Sequence, residues 1–159
     1  MFIAKSNEIK IRQLLMEDVY VMGSWGKHKN PLLYDYNFPE LSDVEAKEWF
    51  NIKTSKRSKK CFSVLNKCNR TIGYLTMKDI KKLKRSAVLG IVFDPNYINR
   101  GYGTQSINLF LHYFFHNFKM RTMYLEVAKF NKRAIRCYER CGFEIISEYK
   151  EKIDNDDIR

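Results

Sequence analysis

No apolar run in this sequence approaches the roughly 20 residues needed to span a bilayer. The N-terminus also lacks the charged, apolar and small-residue succession of a signal peptide. Both absences predict a cytoplasmic protein with no membrane partner. Cysteine is sparse: Cys61, Cys68, Cys137 and Cys141 fall in C-x6-C and C-x3-C pairs, neither of them a common zinc or redox spacing. Reduced structural thiols are expected, with no metal site. Acidic residues are in deficit, 18 Asp and Glu against 29 Lys and Arg, for a formal net charge of +11. Such a chain attracts anions: nucleic acid, an anionic membrane surface or a phosphorylated cofactor. Much of the excess lies in Lys53 to Lys60 and Lys78 to Arg85, beside expected strands, where lysines on solvated loops and edges oppose aggregation. Internal repeats and low-complexity linkers are absent as well.

What is present suits one compact domain over 1–159. Hydrophobic residues make up 45% and aromatics 14% of the 159 residues, enough for a real core and too short a chain for two ordinary domains. Weak alternation over Glu8 to Leu14 predicts an opening strand, followed by an acidic helix start at Glu17-Asp18. Trp25 to Phe38 is irregular and aromatic. Loops of that kind often line binding sites, which makes Trp25, Tyr34 and Tyr36 candidates for substrate contact; the alternative is a loop that tucks its aromatics into the core. Ser42-Asp43-Val44-Glu45 has capping-box spacing, with Leu41 and Ala46 placed as a staple, and predicts a helix from Asp43 to about Ile52.

The period then changes. Cys61 to Leu65, Thr71 to Met77 and Ala87 to Phe93 are short, β-branched and aromatic, and predict a three-stranded antiparallel meander. After Pro95, residues Ile107, Phe110, Leu111, Phe114, Phe115 and Phe118 keep one apolar helical face over three turns. Met123 to Val127 reads as a strand, Lys132 to Arg140 as a helix between Asn131 and Gly142, and Phe143 to Tyr149 as a last strand. The order is βααβββαβαβ, a mixed α/β fold.

Two segments carry chemistry. In Leu89 to Thr104 a strand runs through Asn99-Arg100-Gly101-Tyr102-Gly103 into the long helix. Its glycines let backbone approach a ligand, and unpaired N–H groups and the positive end of the dipole suit a phosphate. No G-x-x-x-x-G-K-[ST] occurs, and the preceding strands follow without crossover helices, which disfavours a dinucleotide fold. In Leu125 to Phe143, Asn131 and Tyr138 are seven residues apart, on nearly the same helix face and about 10 Å apart along the axis.

Together these segments resemble the GNAT superfamily of N-acetyltransferases, within it the branch of the ribosomal-protein N-terminal and the spermidine N-acetyltransferases. The glycine-loop pattern [Q/R]-x-x-G-x-[G/A] falls on Ile98 to Gly103, with Ile98 in place of the polar residue. The resemblance implies a mostly antiparallel sheet flanked by helices and splayed between its fourth and fifth strands, with acetyl-CoA as co-substrate. Ile91, Val92 and Phe93 would pair with the pantetheine arm. Ile98, Asn99, Arg100, Gly101, Tyr102, Gly103 and Thr104 would hold the pyrophosphate, and Asn131 would bind the pantetheine. Tyr138 would sit at the thioester sulfur, and Lys129, Lys132, Arg133 or Arg136 would meet the 3′-phosphate.

The implied reaction is direct attack by a primary amine in a ternary complex. An amine with a pKa of about 10.4 must lose a proton first. Glu126 is the candidate base, because it points away from the strand face of Leu125 and Val127 and some family members use a glutamate there; the alternative is a surface carboxylate paired with a lysine. Cys137, next to Tyr138, is expected on another helix face. The acceptor is a protein N-terminus or a small polyamine or antibiotic, the latter served by Glu17, Asp18, Asp35, Glu40, Asp43, Glu45 and Glu48. A non-catalytic basic RNA- or ribosome-binding module is the competing class. Family members close the sheet with a hairpin after the equivalent of Phe143 to Tyr149, whereas only Lys150 to Arg159 follows here, with Asp154 to Asp157 as a turn. The final strand is absent: either the sequence is truncated, or an edge is open to a second subunit in a homodimer.

Overall fold

Short segments of alternating polarity pair in the order in which they occur along the chain. The computed structural model describes residues 1–150, and its six strands form one sheet in the order β1-β2-β3-β4-β5-β6. These are β1 Phe2–Lys5, β2 Ile9–Gln13, β3 Lys60–Asn66, β4 Thr71–Lys81, β5 Ser86–Phe93 and β6 Thr122–Leu125. Neighbours from β1 to β5 are antiparallel, and β6 alone runs parallel to its neighbour. The helices are α1 Met16–Gly23, α2 Asp43–Thr54, α3 Tyr102–Asn117 and α4 Lys132–Arg140. None is long and apolar enough to cross a membrane.

The sheet separates two cores, with β3, β4 and β5 contributing to both. Ile9, Ile11, Phe62, Val64, Leu75 and Leu89 face α3, where Ile107, Phe110 and Phe114 are fully buried, as the helical period predicts. Cys61 and, partly, Tyr74 and Val92 face the other way, against Val19 and Met22 of α1 and Ala46 of α2. The serine half of the expected capping box of α2 forms: Ser42 Oγ accepts from the Glu45 N–H at 3.2 Å, while Glu45 Oε1 takes the Ser42 hydroxyl, at the same distance, rather than its backbone N–H. The lysine-rich Lys78 to Arg85 builds the exposed β4–β5 hairpin.

The structure departs from the sequence reading in three places. Phe2–Lys5 adds an unanticipated strand at the outer edge. The irregular stretch after Trp25 contains a 3-10 turn, Pro31–Tyr36, started by Asn30. Phe143 to Tyr149 forms no strand, because no described strand lies alongside it to complete a ladder. The turn expected at Asp154 to Asp157 lies outside the described residues.

A buried ion pair ties α1 to three strands. Asp18 is 1% exposed, and Arg12 of β2 binds both its oxygens, at 2.5 and 2.9 Å. Ser63 of β3 and Thr71 of β4 donate hydroxyls at 2.6 and 2.7 Å, and the Leu15 N–H donates at 2.8 Å. Burial alone would raise this carboxyl's pKa, but Arg12 and the other donors outweigh it and hold the group below its ordinary value of 3.8. Asp18→Asn, which leaves Arg12 only the exposed Glu17 at 3.6 Å as countercharge, is expected to cost roughly 3 kcal/mol at pH 7. A depressed folded pKa stabilises above the unfolded value and loses that contribution as pH falls through the folded one. The gap between wild type and variant in urea denaturation should therefore be full at pH 7 and shrink below pH 3.8.

Candidate active site

The cleft begins where a ladder stops. β5 and β6 pair from Ser86↔Thr122 to Leu89↔Leu125 and no further, so Gly90 to Phe93 run on with that edge open while still bonded to β4 on the other. Gly90 marks the divergence: a Cβ there would sit 2.4 Å from Thr76 Oγ1 on β4. Beyond the last rung, against the free stretch of β5, lies a cavity of about 300 Å³.

Four elements line it. From β5 come Ile91, Val92 and Phe93. The start of α3 and the loop before it contribute Ile98, Asn99, Gly101, Gly103 and Thr104. Gly101 is left-handed at φ 81°, a conformation that a side chain would strain. Helical bonding begins with the Gln105 N–H donating to the Gly101 carbonyl at 3.1 Å. The N–H groups of Tyr102, Gly103 and Thr104 therefore stand ahead of the ladder, at the positive end of a 16-residue helix.

From α4 come Asn131, Arg133, Ala134, Cys137, Tyr138 and Arg140. Asn131 is 8% exposed, and its Oδ1 caps the helix by accepting from the Ala134 N–H at 3.3 Å. That use of the oxygen leaves its amide N–H groups as the donors toward a ligand. Burial, then Cys137 and Tyr36, push the Tyr138 phenol above its ordinary pKa of 10.0 against the opposing pull of Arg133. At neutral pH Tyr138 is a donor. Cys137 Sγ lies 3.4 Å from Thr104 Oγ1, and burial pushes its neighbour Cys141 up to about 11.

The loop after α1 supplies the fourth wall through His28, Leu33 and Tyr36. It is fastened at several points. Asp94, fully buried at the end of β5, accepts from the Gly26 N–H at 3.1 Å and the Asn96 N–H at 3.0 Å. Asn37 Oδ1 accepts from the His28 N–H at 2.7 Å, and Lys27 Nζ donates to the Phe38 carbonyl. Burial and the Arg133 charge both push the His28 imidazole below its ordinary 6.5.

Five anticipated residues lie elsewhere. Trp25 is 4% exposed in the α1–α2 core, stacked on Tyr74 at 6.3 Å with its Nε1–H donating to the Thr71 carbonyl at 3.0 Å. Tyr34 is exposed on the outer side of the 3-10 turn and does not line the cleft. Glu126 is exposed and outside the lining, because β6 ends at Leu125, one residue before the alternation that placed it could apply. Arg100 stacks over the Tyr97 ring at 5.3 Å, and Tyr102 packs against the α3 core. Conversely, Cys137 faces the cleft together with Tyr138, contrary to expectation, and His28, Leu33 and Tyr97 join the lining. The α4 residues followed from helical spacing; nothing local to His28 marked it.

A family model described as an acetyltransferase (GNAT) domain matches residues 9–144. A spermidine N(1)-acetyltransferase of Vibrio cholerae serotype O1 is 27% identical over 138 residues, 87% of this chain and 80% of that one. The spermidine N(1)-acetyltransferase of Escherichia coli K12 is 25% identical over 144 residues, 90% of this chain and 76% of its own. Among solved structures, the spermidine N-acetyltransferase of Vibrio cholerae in complex with CoA and spermine superposes with a TM-score of 0.79 at 26% identity, covering 94% of this chain and 88% of that one.

Proposed function

The chain belongs to the GNAT acetyltransferase family and transfers an acetyl group from acetyl-CoA to an amine, and from that premise we propose that the cleft holds the thioester between β5 and Tyr138 and that the acceptor is a small polyamine. One observation carries the first part: the open edge of β5, the free N–H groups at the start of α3 and the Tyr138 phenol all face one cavity. The α3 start binds the pyrophosphate, Ile91 to Phe93 lend backbone groups to the pantetheine, and the Asn131 amide donates to one of its carbonyls. Arg133, which lines the cleft from α4 together with Arg140, serves an anionic group.

The chain's part in the chemistry follows from these positions. Attack by the amine nitrogen puts negative charge on the thioester oxygen, and a backbone N–H near Phe93 stabilises it, a contact commonly worth about 3–4 kcal/mol. Tyr138 donates to the departing sulfur. Because a thiol ionises near 8.5 and the Tyr138 phenol well above 10.0, the proton stays nearer the phenol, and Tyr138 acts chiefly as a hydrogen-bond donor. Transfer is direct, without an acetylated cysteine.

For the acceptor, support comes from the spermidine acetyltransferases that this chain resembles. Asp18 cannot serve a substrate, since its oxygens are committed to Arg12, Ser63 and Thr71. Asp35, exposed one residue before the cleft-lining Tyr36, is the carboxylate for a distal ammonium group. A protein N-terminus, or a non-catalytic RNA- or ribosome-binding role, draws no support from these relatives.

Three outcomes are expected. Spermidine with acetyl-CoA should release thiol continuously; release with a basic N-terminal peptide but none with spermidine would reassign the acceptor. Tyr138→Phe should lower kcat roughly 10- to 100-fold, the worth of a hydrogen bond to a charged group, with acetyl-CoA affinity unchanged by calorimetry. Asn131→Asp keeps the cap but loses the amide donors. Its melting temperature should hold while the acetyl-CoA Kd rises about tenfold.

A further inference from the structure

The cleft contains a base problem that its lining narrows. An amine attacking a thioester must give up a proton, yet none of the described residues lining the cavity is a carboxylate. Its titratable members besides His28 are Tyr36, Tyr97, Arg133, Cys137, Tyr138 and Arg140. Arginine stays protonated throughout the working range, and tyrosine, Tyr138 above all, is a donor there. Cys137 holds its sulfur against the Thr104 hydroxyl. His28 is left.

Resting on the acetyl-transfer reading, we propose that His28 takes the proton of the acceptor amine, directly or through one water, as the nitrogen attacks the thioester carbon. The C–N bond forms and the C–S bond breaks with its electron pair on sulfur. The amine proton passes to the imidazole and from there to solvent, while the thiolate, hydrogen-bonded by Tyr138, takes a proton from solvent.

Three features of the fold support this. His28 lines the same cavity as Tyr138 and lies near enough to Arg133 of α4 to feel its charge. Its backbone is held from both sides, by Asn37 at its own N–H and by Asp94 at Gly26, so the ring is presented from a fastened segment rather than a free loop. The groups around it are mostly cationic: Arg133 and Arg140 from α4, and Lys27 and Lys29 on its own segment, with Lys27 tied to the Phe38 carbonyl. Tyr36, Tyr97, Cys137 and Tyr138 complete the set, and the buried Asp94 faces the Gly26 backbone instead. Burial and Arg133 keep the imidazole neutral near pH 7, the form that accepts a proton.

The test uses the full chain with spermidine as acceptor, thiol release as readout and two variants, His28→Gln and His28→Ala. Both should lower kcat/KM at pH 7 by roughly 100-fold or more, while the thermal shift produced by acetyl-CoA stays as in wild type. The wild-type acid limb, set by a group below pH 6.5, should disappear from the variant profiles, and added imidazole should restore part of the turnover of His28→Ala. Turnover within threefold of wild type with the acid limb in place would overturn the role of His28 and leave acetyl transfer standing. Absence of both a thermal shift with acetyl-CoA and turnover by the wild type would overturn the enzyme reading itself.

Discussion

Four rungs of parallel pairing hold β6 to β5, and the remainder of the architecture depends on their ending at Leu89↔Leu125. Had the ladder continued, Gly90 to Phe93 would have been paired on both sides and the sheet would have closed over the space a ligand needs. β6 is four residues long against eight for β5, and the chain beyond it turns at Ala128 to Asn131 into α4. The same departure opens one edge of β5 and aims Asn131 and Tyr138 across the gap. A backbone defect and a side-chain constellation share one cause.

Two buried carboxylates tie down the elements around that opening. Asp18 collects Arg12, Ser63 and Thr71 from three successive strands, and Asp94 joins the end of β5 to the loop that bears His28. Both carboxylates are buried, so neither is available to a substrate. The cleft itself is lined by arginine, histidine and aromatic side chains. Such an interior suits an anionic, phosphorylated ligand, while a cationic acceptor must be met from the rim. The excess of basic residues in the chain thus has three homes, the Lys53 to Lys60 junction of α2 and β3, the β4–β5 hairpin in solvent, and the α4 wall of the cleft.

Local pattern showed most of the frame. The apolar stripe of α3 and the Ser42–Glu45 cap are properties of neighbouring residues, and both were legible. The resemblance through Gly101, Gly103, Asn131 and Tyr138 pointed to the segments that share the cavity. Pairing was less legible, because a strand needs a partner that is often remote: Phe2–Lys5 carries too short a pattern to announce itself, and the apolar residues of Phe143 to Tyr149 predicted a strand that has no ladder among the described residues. Faces were least legible. Trp25 reads equally as a wall of a site or a piece of core, and only Tyr74 and Thr71, nearly fifty residues away, decide it. Alternation put Glu126 across the strand from its neighbours, but β6 stops before it. His28 became visible only when α4 was brought opposite the loop after α1.

The order in which contacts can form follows from the same sheet. From β2 onward each antiparallel neighbour of β3, β4 and β5 is reached through a short turn or a hairpin, except for the excursion through α1 and α2. The parallel junction instead waits for α3 to cross from one strand to the other, so its four rungs close a longer loop than the β3–β4 and β4–β5 hairpins do. A ligand lying beyond the last rung bridges β5 and α4 instead of the two strands. Because it binds only where those elements are assembled, it stabilises the native state that brings them together.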